Sequence, residues 1–384
     1  MTATEDLEPI RIKLAALGRT HTPADVAEAM RAEGQVVSDE ALFDTVRAIR
    51  QDSVGAGILD PLLRLDGVTD VLVNGPHEVF LDRGDGLEQA NVSFGSDDDV
   101  RRLAQRLAAS VGRRLDDSSP FVDARLADGT RVHAVLGTLA DPGTCISLRV
   151  PARRSFSLQD MVDRGSIPTA AAELLTAMIN AKAAFMISGG TGSGKTTLLA
   201  ALLSLVPTSE RLVVVEDSRE LNPQHPHLIR LEGRPGNAER QGAVTLTDLV
   251  RQALRMRPDR LIVGEVRGAE ICDLLAAMNT GHEGGCGTVH ANSAGDVPAR
   301  LEALAVLAGM GREAVHAQVD AALEVVVHIQ RTASGRRRLG EIHVLERAST
   351  TGLVHTCPAL RIDDRQRIQV GPGARRLEQV LSRS

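Results

Sequence analysis

The sequence predicts an α/β fold: a mostly parallel sheet with helical crossovers, preceded by a smaller α+β domain and a short helical N-terminal segment. Three observations carry this. Ser188-Gly-Gly-Thr-Gly-Ser-Gly-Lys-Thr-Thr-Leu-Leu199 satisfies the spacing G-x-x-x-x-G-K-[ST] through Gly189, Gly194, Lys195 and Thr196. Beyond it, apolar runs alternate with helical stretches, as parallel strands and their crossovers do. Ahead of it, from about residue 58 to 150, short strands bounded by turn residues surround one helical stretch.

The glycine-rich stretch is spelled as a phosphate-binding loop must be. Backbone N–H groups have to point inward around a polyphosphate, and the chain has to approach closely. Gly189, Gly190, Gly192 and Gly194 permit both, with Thr191 and Ser193 between them. Lys195 supplies a cation for the β- and γ-phosphates, and the Thr196 hydroxyl can ligate Mg²⁺. Ala183–Ile187 before the loop suits a buried parallel strand. The run from Thr196 through Thr197 to Leu203 reads as a helix whose N-terminus faces the phosphates.

In chain order, residues 1–57 carry helical periodicity, with Thr22-Pro23-Ala-Asp25 as a helix start. Over 58–150, Asp70–Asn74 and Glu78–Asp82 read as strands about Gly75-Pro76. Val100–Val111 has helical spacing, Phe121–Leu126 and Thr130–Val135 flank an Asp128-Gly129 turn, and Thr144–Val150 is another strand. Residues 151–164 are expected to be a linker and 165–384 the nucleotide-binding domain, with Leu158–Asn180 reading as two helices broken at Gly165 and Pro168. There, Arg211–Asp217, His227–Glu232, Arg260–Glu265 and Gly287–Ala291 read as strands. Thr247–Met256, Gly268–Asn279 and Val297–Leu307 read as helices. Leu323–Gln330 and Arg338–Leu345 form a long hairpin around Ser334-Gly335, and residues 350–384 carry little signal.

Composition narrows the function classes. The 384 residues carry a formal charge of −6, with six Phe and neither Trp nor Tyr. Basic bias and aromatic stacking platforms for nucleic acid are both lacking. No run of about 18 apolar residues is present to span a membrane, and the acidic start, Met1-Thr-Ala-Thr-Glu-Asp-Leu-Glu, lacks a signal-peptide core. Cys145, Cys272, Cys286 and Cys357 are scattered. Neither zinc nor a disulfide framework is expected, and a reducing cytosol is.

A nucleoside triphosphatase needs a metal, a group to activate water and charge relief at the γ-phosphate. Glu265 ends an apolar strand, where a carboxylate emerges at the ligand-binding edge of a sheet. Gly264 stands where a metal-ligating Asp would precede it, so Glu265 reads as the water-polarising base. Glu216 and Asp217 end another apolar strand and can ligate Mg²⁺ or orient water. His282 and His290 flank Gly284–Gly287 and are candidates to sense the γ-phosphate.

Together these stretches resemble the ATPases of type II/type IV secretion and type IV pili. Glu216-Asp217 stands at the family's Asp box, Gly264-Glu265-Val-Arg267 at its atypical Walker B, and Thr280–His282 with Gly287–Ser293 at its His box. Val68–Gly75, Val122–Arg131 and Arg260–Asn292 are most similar to the CpaF/TadA branch, the motors of tight-adherence pili. The resemblance spans about 58–347 and lacks the tetracysteine zinc insert of the type II secretion branch. It implies a RecA-like ATPase domain behind a PAS-like α+β domain and a homohexameric ring using ATP and Mg²⁺. It also implies inner-membrane platform proteins as partners and a cytoplasmic motor, peripheral on the inner face of the cytoplasmic membrane; the acidity and missing aromatics argue against nucleic acid as a partner. The family further suggests arginines of the α+β domain reaching the γ-phosphate: Arg125, Arg131 and Arg149, with Arg230 as a further candidate and Arg125 and Arg149 preferred. The competing readings are a nucleic-acid translocase, disfavoured by the acidity, and a non-hydrolysing scaffold, disfavoured by intact Lys195, Thr196 and Glu265.

An arginine that neutralises γ-phosphate charge is worth on the order of 10³ or more in rate. Arg125→Ala or Arg149→Ala should therefore retain nucleotide binding and lose most turnover. Steady-state hydrolysis beside equilibrium binding checks this; unchanged kcat in both would remove the arginines from the chemistry.

Overall fold

The computed structural model describes residues 8–15, 22–34, 37–38, 41–43, 45–46, 55–84, 86–151, 156–234, 242–281, 283–332 and 335–383. The chain divides into two compact units, Met1–Pro151 and Ala152–Ser384.

The first unit opens with helices α1 (Glu8–Ala15) and α2 (Pro23–Ala32). Thr22 and Asp25 cap α2 reciprocally, with Pro23 in its first turn. Ile10, Leu14, Val26, Ala29 and Met30 form a small core of their own. After a short helix α3 (Asp60–Leu63) come β1 (Asp70–Asn74), β2 (Val79–Asp82), β3 (Leu87–Gln89), α4 (Asp97–Ser110), β4 (Phe121–Arg125), β5 (Arg131–Val135) and β6 (Cys145–Arg149). The strands make one antiparallel sheet in the order β3-β2-β1-β6-β5-β4. Alternate residues such as Val71, Val73, Val132, Ala134, Ile146 and Leu148 face the core, against Val100, Leu103 and Leu107 of α4.

In the second unit the segment expected as a linker is partly structure. Leu158–Asp163 is a helix, α5, capped by Ser157 and Asp160, with Leu158 and Met161 in the core. It is the first of the two helices read between Leu158 and Asn180, separated at Gly165 and Pro168 from the second, Thr169–Asn180, as expected. The rest runs α6 (Thr169–Asn180), β7 (Phe185–Ser188), α7 (Lys195–Leu203), β8 (Leu212–Glu216), β9 (Leu228–Glu232), α8 (Leu246–Ala253), β10 (Arg260–Val266), α9 (Glu270–Met278), β11 (Cys286–Val289), α10 (Val297–Leu307), α11 (Arg312–Ala322), β12 (Val325–Arg331), β13 (Arg337–Arg347), β14 (Val354–Ile362), β15 (Ile368–Val370) and α12 (Ala374–Leu381). Residues 350–384, nearly silent as sequence, thus supply two strands and a helix.

These strands form a nine-stranded sheet, β15-β14-β13-β12-β7-β11-β10-β8-β9. From β12 to β9 all pairs are parallel; β13 to β15 extend it antiparallel. Successive strand residues enter opposite cores. Phe185, Ile187, Leu212, Val214 and Ile262 pack with α5, α6, α7 and α12, whereas Met186, Val213, Val215, Leu261 and Val263 pack with α8 to α11. Burial on both faces explains why these strands read as continuous apolar runs. The α/β class is the one the sequence predicts.

At the start of β10, an interior strand, Arg260 is 1% exposed. Its Nε donates to Glu210 at 2.6 Å and its Nη2 to the Ile179 carbonyl at 2.9 Å, and Lys182 approaches Glu210 at 3.4 Å. Burial pushes the Glu210 carboxyl up, but the bond and charge of Arg260 and the charge of Lys182 outweigh it and hold it below the ordinary value. Its contribution to stability is thus present above about pH 4.5 and lost as pH falls below that. Glu210→Gln strands a buried guanidinium and should cost ~3–5 kcal/mol in urea melts at neutral pH, with the deficit shrinking in acid.

Candidate functional site

The parallel order sets the site. Strand β7 delivers the phosphate loop, and β11 and β12 flank it. Val289 pairs with Ser188, so His290 leaves the sheet beside Gly189. On the far side of β11, the register of β10 slips between Val263 and Val266, across Gly264-Glu265. Such an irregularity re-aims a side chain at a strand end. Here the Glu265 carboxylate turns to His290, whose Nε2 lies 2.7 Å from Oε1.

The loop has the backbone its glycines imply: φ is +155° at Gly189, +66° at Gly192 and +97° at Gly194. A Cβ at Gly189 would stand 2.2 Å from the Ile329 carbonyl oxygen. Ser193, buried, donates its hydroxyl to the Gly190 carbonyl at 2.9 Å. Lys195 opens α7 and folds back over the loop. Its Nζ lies 3.0 Å from the Gly189 carbonyl, 2.9 Å from that of Gly190 and 3.3 Å from His290 Nδ1. Thr196 and Thr197 follow in the first turn of α7.

One polar chain therefore runs Lys195–His290–Glu265–Arg267–Asp217. Arg267 pairs with Glu265 and approaches Asp217 Oδ2 at 3.8 Å. Burial and the Lys195 charge lower the His290 pKa, so the ring is neutral; a proton on Nε2 then serves Glu265 while Nδ1 accepts from the ammonium. Burial pushes the Glu265 carboxyl up, but Arg267, His290 and Lys195 together hold it below its ordinary value, ionised. Burial lowers Lys195, opposed by Glu265.

Glu216 ends β8 next to Gly264, because Val215 pairs with Val263. Its carboxylate is 4% exposed; Oε1 accepts from the Leu221 and Glu220 N–H groups at 2.9 and 3.1 Å, and Oε2 has no partner among the described residues. Burial pushes this carboxyl up to about 7, against those two bonds. A Cβ at residue 264 would sit 2.6 Å from Glu216 Cγ. The glycine that replaces the usual Asp is thus required: the neighbouring strand's carboxylate fills that space. An unsatisfied buried carboxylate oxygen, the Thr196 hydroxyl and an open glycine-rich loop fit a divalent cation with a polyphosphate.

The structure brings Lys195, His290, Glu265 and Asp217 into one chain and sets Glu216 beside it. It does so with Arg267, which sequence reasoning passed over; the i, i+2 spacing after Glu265 on an extended strand is the signal that finds it. Arg125, Arg131 and Arg149 belong to the first unit. Arg125 Nε donates to the Gly129 carbonyl at 3.3 Å, Arg131 pairs with Asp123 at 2.6 Å and Arg149 with Asp70 at 3.2 Å. Arg230 donates to the Leu221 carbonyl and to Asn222, each at 3.3 Å. His282 lies outside the described residues.

Because Gly264 and Glu216 compete for one space, their substitutions should couple. Gly264→Ala alone should destabilise by about 1–3 kcal/mol. In a Glu216→Ala background the same change should cost at least about 1 kcal/mol less. Additive effects in chemical denaturation would contradict the steric account.

The family model described as "Type II/IV secretion system protein" matches residues 52–370. A putative conjugal transfer protein of Mycobacterium tuberculosis (strain ATCC 25618 / H37Rv) is 52% identical over 319 residues, covering 82% of this chain and 91% of that one. The type IV secretion system protein PtlH of Bordetella pertussis is 32% identical over 313 residues, covering 74% and 92%. Among solved structures, the ATPase DotB of Yersinia pseudotuberculosis superposes with a TM-score of 0.53 at 18% identity, covering 82% of this chain and 81% of that one, a likeness of fold. On the extent of the family match and of these relatives, the chain belongs to the type II/IV secretion system protein family.

Proposed function

We propose that this chain is a Mg²⁺-dependent ATPase motor of a type IV secretion or pilus machine. One observation carries the reading: Lys195 of the phosphate loop and Glu265 of the neighbouring strand meet on the two nitrogens of His290. A phosphate-binding cation and an ionised carboxylate are thereby held at one mouth, the arrangement that phosphoanhydride hydrolysis needs. When bound, ATP brings the scissile phosphate and Mg²⁺ the charge that offsets its oxygens. The loop glycines and Lys195 hold the phosphates, with Thr196 and Glu216 as the groups to hold the cation. Glu265 orients water and takes its proton. His290, in contact with both Lys195 and Glu265, couples occupancy of the loop to the carboxylate.

In the finer reading, the motor is a homohexamer on the inner face of the cytoplasmic membrane. It acts with inner-membrane platform proteins on pilin-like subunits, as in the tight-adherence branch. A second reading, conjugation-type nucleic-acid translocation, is favoured by the mycobacterial relative, a putative conjugal transfer protein. Hydrolysis stimulated by acidic lipid supports the first; stimulation by single-stranded DNA supports the second.

Lys195→Ala should weaken nucleotide binding, because the phosphates lose a fixed cation. Glu265→Gln should keep binding and lose at least about 10²-fold in kcat, because an amide cannot accept the proton. Chelation of Mg²⁺ should abolish turnover. Hydrolysis that survives Glu265→Gln would remove Glu265 as base.

A further inference from the structure

A phosphate loop that turns its N–H groups inward turns carbonyls outward, where donors other than the phosphates can hold them. Lys195 and Ser193 serve Gly189 and Gly190. The outward carbonyl of Gly192 is served from another part of the sheet. Arg337, the first residue of β13, donates its Nε to that oxygen at 2.9 Å. The fit is close. A Cβ at Gly194 would lie 3.4 Å from Arg337 Cδ and 3.6 Å from Ile329 Cδ1, and one at Gly189 would overlap the Ile329 carbonyl. The β12–β13 hairpin is thus a wall against which the loop is pressed, through Ile329 on one strand and Arg337 on the other.

Arg337 differs from the other arginines of the antiparallel strands whose side chains reach carboxylates. Arg338 pairs with Asp364 at 2.7 Å and Arg361 with Glu341 at 3.2 Å. Arg337 is exposed, and among the described residues no carboxylate pairs with it. An uncompensated guanidinium is held against a loop built to take an anion. Binding a carbonyl needs no charge there, and Thr, Asn or Gln at the hairpin can donate as well.

We infer that Arg337 is a positioning residue for the nucleotide's polyphosphate: it fixes the loop through the Gly192 carbonyl and adds an unpaired positive charge beside the phosphates. This rests on the nucleotide-binding reading above. By reciprocity, occupancy of the loop must steady the hairpin that braces it.

The test is equilibrium binding of ADP and of adenosine to the full chain, with Arg337→Ala, Arg337→Gln and Arg337→Lys. Arg337→Ala should weaken ADP binding about tenfold and leave adenosine binding within about twofold. Arg337→Gln keeps a donor without charge and should recover little, whereas Arg337→Lys should recover most. The salt dependence of ADP binding should flatten in the uncharged variants. Hydrogen exchange over the β12–β13 hairpin should slow on ADP addition in the wild type and not in Arg337→Ala. ADP affinity within twofold of wild type in Arg337→Ala overturns the inference, as does equal loss of adenosine and ADP. Wild-type protein that binds no ADP overturns the nucleotide reading itself, and Lys195→Ala, weakened while Arg337→Ala is not, leaves that reading standing alone.

Discussion

The phosphate loop holds its shape through donors that its own carbonyls accept, and the strand order of the second unit decides where those donors come from. A buried carbonyl without a donor forfeits a hydrogen bond's worth of free energy, on the order of 1–3 kcal/mol, which bears on Gly189; Gly190 and Gly192 are exposed, and their donors fix the loop's shape. The loop at Gly189–Gly194 has three donors from three sources. Lys195 folds back from the helix it begins, Ser193 closes the loop on itself, and Arg337 arrives from a hairpin more than a hundred residues later in the chain. The antiparallel extension of the sheet is what carries that hairpin to the loop, since β12 pairs with β7 and β13 with β12.

The same strand order produces the electrostatic chain. Strand β11 lies between β7 and β10, so a residue that follows it sits between the loop and the acid that ends β10. That residue is His290. Its ring separates an ammonium from a carboxylate and hydrogen-bonds to both; against burial, the charge of Glu265 supports the ammonium, and Arg267, with His290 and Lys195, keeps the carboxylate ionised. Arg267 continues the alternation of sign to Asp217. Glu216 is the exception. Among the described residues no donor reaches its Oε2, and burial raises its carboxyl toward neutrality against the Leu221 and Glu220 N–H groups and the more distant charge of Arg230.

Glycine does two separate jobs here. Within the loop it permits left-handed backbone, as φ at Gly192 and Gly194 shows. At Gly264 the backbone is extended and the reason is space alone, because Glu216 of the adjacent strand occupies the volume of any side chain. Identical residues in the sequence thus answer to different physics.

The sequence by itself determined the loop, the parallel α/β class, the strand-end acids and the family, because each is local: a spacing, a period, a short apolar run closed by a carboxylate. It also located His290 near the chemistry. Other features needed the folded chain. Strands β14 and β15 and helix α12 are specified by packing on β13 and on one another more than by local pattern. The pairing of Arg267 with Glu265, the fit of Glu216 over Gly264 and the reach of Arg337 to Gly192 depend on which strands are neighbours and in what register. Register is set by the summed burial of two whole faces of the sheet, and no window of the sequence contains that sum.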